Sequence, residues 1–178
     1  MISNFNLQPD FLEDEIIKLI PLEENHFEEL FIVASDPLIW DQHPAKERST
    51  REGFKAFFET GISSKGAFLI LDKKTNEIIG TTRYYDYKPE NSSIAIGYTF
   101  MAQKFWGGPY NKSCKKLLID YAFQHVDKVI FHVAAENFRS QKAVLKLGAE
   151  KTNIMVVTNN GLNIPHLEYE LKVGSFKF

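Results

Sequence analysis

The stretch IAIGYTFMAQKFWGGPYNKSCKKLLIDYAFQHVDKVIFHVA, residues 94–134, changes its periodicity twice. Residues 94–100 read as a strand. Residues 111–125 carry Cys114, Leu117, Leu118 and Tyr121 at helical spacing, and residues 128–134 return to a strand pattern. A strand, a helix and a second strand in that order form a crossover. Such a crossover joins two parallel strands and is right-handed.

The flanking sequence is different in kind. Residues 67–71 and 78–87 are strands joined by DKKTNE, a polar turn that implies a hairpin. Residues 15–22 form an earlier strand, and residues 23–34 and 50–60 have helical spacing. Between those helices SDPLIWDQHPAK, with two prolines and two aspartates, breaks any period. Residues 138–147 are helical, with Asn137 at the N-cap position and Gly148 as the stop. Strands 151–158 and 165–173 close the chain around NNGLN, whose Asn-Gly pair favours a tight hairpin. The expected fold is α/β, a mixed, mostly antiparallel sheet with a central parallel crossover pair and helices on both faces. One domain should span residues 1–178.

Composition narrows the function. A formal charge of −2 argues against a general nucleic-acid binder, which carries a basic excess. The opening MISNFNLQPDFLEDE lacks a basic start followed by an apolar core, so no secretory leader is expected. No apolar run nears the roughly 18 residues of a membrane span. Cys114 is the only cysteine, which excludes a disulfide or a cysteine-rich metal site within the chain. The reading is a soluble cytoplasmic protein, monomer or homodimer, with no metal and neither nucleic acid nor membrane as partner.

The chemistry should lie where the crossover begins. Gly107 and Gly108 let backbone approach a ligand closely, and the first turn of the following helix offers N–H donors and a positive dipole end. Lys104, Lys112, Lys115 and Lys116 add charge around it, an arrangement suited to a pyrophosphate. A plain strand-to-helix turn with a solvated lysine face would read the same way. Asn137 and Ser140 stand at the second helix start, where a simple cap would also place them.

Together these segments resemble the GNAT superfamily, in its branch of ribosomal-protein N-terminal acetyltransferases. The resemblance rests on IGYTF at 96–100, WGGPYN at 106–111, LLIDYAF at 117–123 and N-x-R-S-x-x-A-x-x-K-L-G-A at 137–149. IWDQHP at 39–44 and IIGTTRYY at 78–85 extend it. It implies acetyl-CoA as co-substrate. Backbone groups of Phe100, Met101 and Ala102 would pair with the pantetheine arm, in a gap between splayed parallel strands. Trp106, Gly107, Gly108, Tyr110, Asn111 and Lys112 would hold the pyrophosphate, and Asn137 with Ser140 would lie near the thioester. Trp40, His43, Arg83 and Tyr98 would border the amine acceptor. Two positions depart from the superfamily pattern. Pro109 stands where glycine is usual and removes one N–H, and Val144 stands where many members place a tyrosine that protonates the thiolate.

The resemblance implies N-acetyl transfer to a primary amine, by direct attack without a covalent enzyme intermediate. A protein N-terminus or a small-molecule amine would serve as acceptor. Ser140 is the motif-matched hydroxyl near the expected thioester. A catalytically silent acyl-CoA-binding module is the alternative. Cys114 shares the buried stripe of its helix and reads as core. His132 alternates with Ile130 and Ala134, facing either the gap or the core.

Overall fold

The protein's structure, a computed structural model, describes residues 5–159 and 161–176. Eight strands run β1 Leu12–Glu13, β2 Ile17–Pro21, β3 Ala67–Asp72, β4 Ile78–Lys88, β5 Ser93–Met101, β6 Lys128–Ala134, β7 Glu150–Asn159 and β8 Leu162–Lys172. Four helices are α1 Phe27–Ala34, α2 Arg51–Ser64, α3 Tyr110–Ala122 and α4 Phe138–Lys146. The strands make one sheet in the order β1-β2-β3-β4-β5-β6-β8-β7. Every neighbouring pair is antiparallel except β5 with β6, the pair joined through α3.

That parallel pair is short. Ser93, Ile94 and Ala95 match Lys128, Val129 and Ile130, and no pairing follows. Both strands continue, however. β5 stays paired with β4 as far as Met101, and β6 with β8 as far as Ala134. The divergence begins beside an irregularity. Between Gly97 and Phe100 the register on β4 shifts by one, and Tyr98 takes a φ of 52°. A bulge of this kind bends and twists its strand, so β5 turns away from β6 and a gap opens between them.

Helices cover both faces. On one face α3 contributes Cys114, Leu118, Ile119 and Ala122, and α4 contributes Val144, to a core with Ile94, Ile96, Val129 and Phe131. Tyr84 crosses from β4 to donate its hydroxyl to the Leu118 carbonyl of α3. On the other face α1 and α2 enclose a mostly aromatic cluster, in which Phe54 meets Phe27, Phe31, Phe57, Phe58 and Phe100.

Local differences from the sequence reading have physical causes. The helix expected over 23–34 opens as a 3-10 turn, Glu24–His26, held by a capping box between Glu23 and His26. The 35–46 loop contains the 3-10 turn Pro37–Trp40, where the Asp36 carboxylate accepts from the Leu38 N–H. Thr50 caps α2 through its hydroxyl, and the helix runs past residue 60 to Lys65, at φ 51°. Gly61 does not end it. A Cβ there would stand 3.1 Å from Arg83 Nη2 and 3.2 Å from Leu22 Cδ2, so this glycine serves packing. The short β1 carries too few residues to show a period. The Asn-Gly turn rests on Asn160, outside the described residues; Asn159 pairs with Leu162 beside it.

Phe54→Ala should cost about 3–5 kcal/mol, the range for emptying a fully buried phenylalanine site. Urea unfolding at neutral pH would check this. A loss under about 1 kcal/mol would mean that the aromatic cluster collapses to fill the space.

Candidate functional site

The turn after β5 is built tightly. The 3-10 turn Gln103–Phe105 is followed by Trp106, whose Nε1 donates to the Met101 carbonyl at 2.9 Å. Gly107 takes φ 72°, and apart from its chain neighbours no atom of the described residues lies within 4 Å of where a Cβ would stand. Pro109, in helical conformation, is the N-cap of α3, with no side-chain cap and no acidic residue in the first turn. Ser113 donates back to the Pro109 carbonyl at 2.8 Å. The N–H groups of Tyr110, Asn111 and Lys112 therefore precede the first intrahelical bond, as an anion site requires. Tyr110 is anchored by donating its hydroxyl to Asp72 at 3.0 Å.

The lysines do not form the ring of charge that the sequence suggested. Lys104 pairs with Glu77 at 2.6 Å, and Lys116 pairs with Asp120 one turn along α3. Lys115 turns inward. It is 7% exposed and donates to Thr99 Oγ1 at 2.7 Å, with its ammonium 6.0 Å from the Phe131 ring centroid. Thr99 on β5 and Phe131 on β6 flank the gap, so this cation sits inside it. Its spacing places it beside Cys114 on the buried stripe, and burial lowers its pKa. Lys112 stays exposed beside the turn.

Along the gap, Ala102 donates its N–H to the Ile79 carbonyl at 2.8 Å. Alternation along the strand then turns the Met101 N–H toward the gap and those of Phe100 and Ala102 away from it. The Met101 carbonyl is already occupied by Trp106. At the far side, Asn137 caps α4, its side-chain oxygen accepting from the Ser140 N–H at 3.1 Å. The Ser140 side chain is half-buried, one turn from Val144, which packs in the core. Arg139 ties the parts together. Its guanidinium stacks 4.1 Å from the Trp106 ring centroid and donates to the Ile39 carbonyl at 2.9 Å, while its backbone N–H donates to Gln42 Oε1 at 3.1 Å.

Trp40, His43, Arg83 and Tyr98 do converge, on the α1–α2 face of the sheet. Trp40 is 3% exposed, packs on Phe57, Phe100 and His43, and spends its indole N–H on the Ala34 carbonyl at 2.7 Å. It offers the site a ring and no polar group. The His43 Nδ1 accepts from the Ala45 N–H at 2.9 Å, and its imidazole is pushed down to about 3. Burial is the main cause, followed by the positive fields of Arg48, His166 and Arg139. Tyr98 is 41% exposed at the bulge, with the Arg83 guanidinium 4.1 Å from its ring centroid.

A polar chain runs beside it. Tyr85 and His132 share a hydrogen bond between the phenol oxygen and Nδ1 at 2.8 Å. His132 Nε2 lies 3.4 Å from Glu168 Oε2. A carboxylate at Nε2 favours the proton there, which leaves Nδ1 as acceptor and the phenol as donor. Tyr85 reaches β6 by lying across Gly97, where a Cβ would stand 2.9 Å from its ring. His132 thus faces the gap's open side and not the core.

Cys114 is fully buried, and burial pushes its thiol up to about 11, so it supplies no nucleophile. Among the described residues no cluster of His, Cys, Asp or Glu could hold a metal ion, and no helix is long and apolar enough to cross a membrane. A groove of about 700 Å³ along α2 is lined by the mixed charges of Arg51, Glu52, Lys55 and Glu59, and shares no residue with this site. The sequence reading missed Arg48, Arg139 and Glu168 as site residues. Arg139 lay within the motif at 137–149, while Tyr85 shares with Arg83 a strand expected to reach the acceptor pocket. Arg48 and Glu168 gave no signal, since both arrive through tertiary packing.

The acetyltransferase (GNAT) domain family matches residues 17–150. The uncharacterized N-acetyltransferase p20 of Bacillus licheniformis is 30% identical over 90 residues, 49% of this chain and 50% of that protein. The chain thus spans about half the length of this curated relative. Solved structures agree in fold. A GCN5-related N-acetyltransferase from Brucella melitensis superposes with a TM-score of 0.78 at 20% identity, over 95% of this chain and 83% of that one. The microcin C7 self-immunity acetyltransferase MccE, solved with acetyl-CoA and AMP, gives 0.75 at 16% identity, over 94% and 99%.

The depressed His43 pKa has a consequence with a definite sign. The unfolded chain takes a proton near the ordinary value of 6.5, which the folded chain refuses until about 3. Stability from this group is whole above pH 6.5 and is lost as pH falls toward 3, by at most about 1.4 kcal/mol per pH unit. Urea unfolding of the parent and of His43→Asn at pH 7, 5.5 and 4.5 reads the effect. The parent should lose ground against the variant as pH falls, and parallel losses would show an imidazole that titrates freely.

Proposed function

We propose, because the chain belongs to the acetyltransferase (GNAT) family, that it moves an acetyl group from acetyl-CoA to a primary amine by direct attack on the thioester. The observation that carries this reading is the β5–β6 gap, which leads into the uncapped α3 N-terminus. Pyrophosphate would take the N–H groups of Tyr110, Asn111 and Lys112, with Gly107 and Gly108 leaving room for it. Pantetheine would fill the gap, pairing with the Met101 N–H, while the buried Lys115 ammonium donates to one of its oxygens. The thioester would then lie between the Tyr98 bulge and the start of α4.

A primary amine attacks only after losing a proton, which an α-amino group near pKa 8 does more readily than a lysine side chain near 10.4. The chain from Tyr85 through His132 to Glu168 suits the exit of that proton. The phenol oxygen accepts from the amine, its own proton passes to Nδ1, and Glu168 stabilises the imidazolium. A backbone N–H at the bulge would hold the oxyanion, and Ser140 would donate to the departing thiolate. Most of the rate would come from holding the two substrates in line. Pro109 favours a second reading, a silent acyl-CoA-binding module, because it supplies no N–H to the phosphates.

Calorimetry should show acetyl-CoA binding that free CoA competes away and that weakens with salt, because phosphates meet charge at the turn. Absence of heat would end the reading. Thiol release with a panel of amines separates enzyme from silent module. His132→Gln and Ser140→Ala should each lower kcat by about ten- to a hundredfold, the low end of proton-transfer effects, with acetyl-CoA affinity kept. Unchanged kcat in His132→Gln would remove the proposed proton route.

A further inference from the structure

Arg83 is a buried cation with no counterion among the described residues. It is 5% exposed, and among the described residues it pairs with no carboxylate. Its Nη2 makes two long contacts, to the Phe57 carbonyl at 3.3 Å and Thr60 Oγ1 at 3.4 Å, and its buried Nε has no hydrogen-bond partner among the described residues. Aromatic rings hold it in place, Tyr98 at 4.1 Å and Phe57 at 5.6 Å from the guanidinium carbon. A second guanidinium, Arg48, lies over the same Phe57 ring at 4.7 Å, and over Trp40 at 5.7 Å. It too makes no ion pair within the described residues.

These cations gather against their mutual repulsion. Burial lowers Arg48 to about 10 and lowers Arg83 as well; Arg48 also feels the Arg83 guanidinium, while Tyr98 and Glu47 act on it in the opposite direction. His43 feels Arg48, Arg139 and His166 together. Among the described residues no acidic group forms an ion pair with Arg83 or Arg48, although the Glu47 charge acts on Arg48. Glu47 adjoins Arg48 in the chain, Asp41 acts on Arg139, and Glu168 faces His132. Removing an unpaired cation from water is costly, and ring stacking returns only part of that cost. A planar fork of donors with an idle Nε matches the two oxygens of a carboxylate or a phosphate. An acceptor site for a bare amine would instead offer carboxylates to an ammonium.

We infer that the acceptor is a small amine which also carries an oxyanion, a carboxylate or a phosphate, and that Arg83 and Arg48 bind this group beside Tyr98. The inference rests on the acetyl transfer proposed above. Because Arg83 stacks on the bulge residue at the thioester end, oxyanion and amine stand only a few bonds apart.

Matched acceptors test this, with thiol release from acetyl-CoA as the readout. Phosphoethanolamine is compared with ethanolamine, and β-alanine with its amide. The charged member of at least one pair should have the higher kcat/KM by at least about thirtyfold, the low end for truncating one side of a desolvated charge pair. The pair that responds tells phosphate from carboxylate. Arg83→Gln should erase the preference, and Arg83→Lys should restore part of it, while acetyl-CoA affinity stays constant. Thermal unfolding checks that each variant folds, and Arg48→Gln replaces Arg83→Gln should the latter unfold. Neutral amines turning over as well as their charged partners would overturn the inference and leave the transferase standing. Calorimetry with phosphoethanolamine and β-alanine, with CoA present, needs no turnover. Arg83-dependent binding without thiol release from any amine would keep the anion site and refute the transfer. No binding of either ligand would overturn the inference.

Discussion

Three residue pairs of parallel sheet set the terms for this molecule. Ser93, Ile94 and Ala95 hold Lys128, Val129 and Ile130, and beyond them the strands part. Each outer neighbour, β4 or β8, stays paired, so the separation cannot relax by shifting the sheet. Backbone N–H and C=O groups facing the gap therefore lack the partners that a continued ladder would give. Such groups are obligatory hydrogen-bonders, and a sheet that leaves them open inside a protein invites a ligand with amide character. The turn, the helix start and the face that carries Tyr98 are all placed by where β5 and β6 stop pairing.

Charge follows the same plan. The chain as a whole is slightly acidic, yet its positive side chains are sorted by face. Lys104 and Lys116 are neutralised at the surface, where exposed pairs contribute little. Lys115, Arg83, Arg48 and Arg139 are drawn inward and meet hydroxyls, carbonyls and rings in place of carboxylates. Local field and net charge thus point in opposite directions, which is why a slightly acidic composition gives no hint of the positive charge gathered inside.

Much of the fold was legible because it is carried by short-range pattern. The hairpin around DKKTNE, the crossover through residues 111–125 and the N-cap at Asn137 each declare themselves in contiguous sequence. The bulge at Tyr98 did not, since a tyrosine in the left-handed region is dictated by its neighbours in space and not by its own preference. The same holds for the site. Gly107, Gly108 and Ser140 could be read from motif positions. The inward turn of Lys115 needed the helical stripe taken at face value, because Lys115 adjoins Cys114 on the buried side. Glu168 opposite His132 is a matter of β6–β8 register, which no local window contains.

Gly97 joins two positions that sequence alone treats as independent. The Tyr85 ring lies where a side chain at 97 would stand, and only by lying there does its oxygen reach His132. Any drift of residue 97 toward alanine or beyond must displace residue 85, whereas a smaller residue at 85 frees 97 to vary. The two changes are unequal in order. Shrinking Tyr85 first opens a path of single substitutions; enlarging Gly97 first meets a clash. Over many generations such a pair would diverge along one route and not the other, and chains that keep glycine at 97 would be those able to keep an aromatic bridge across the sheet.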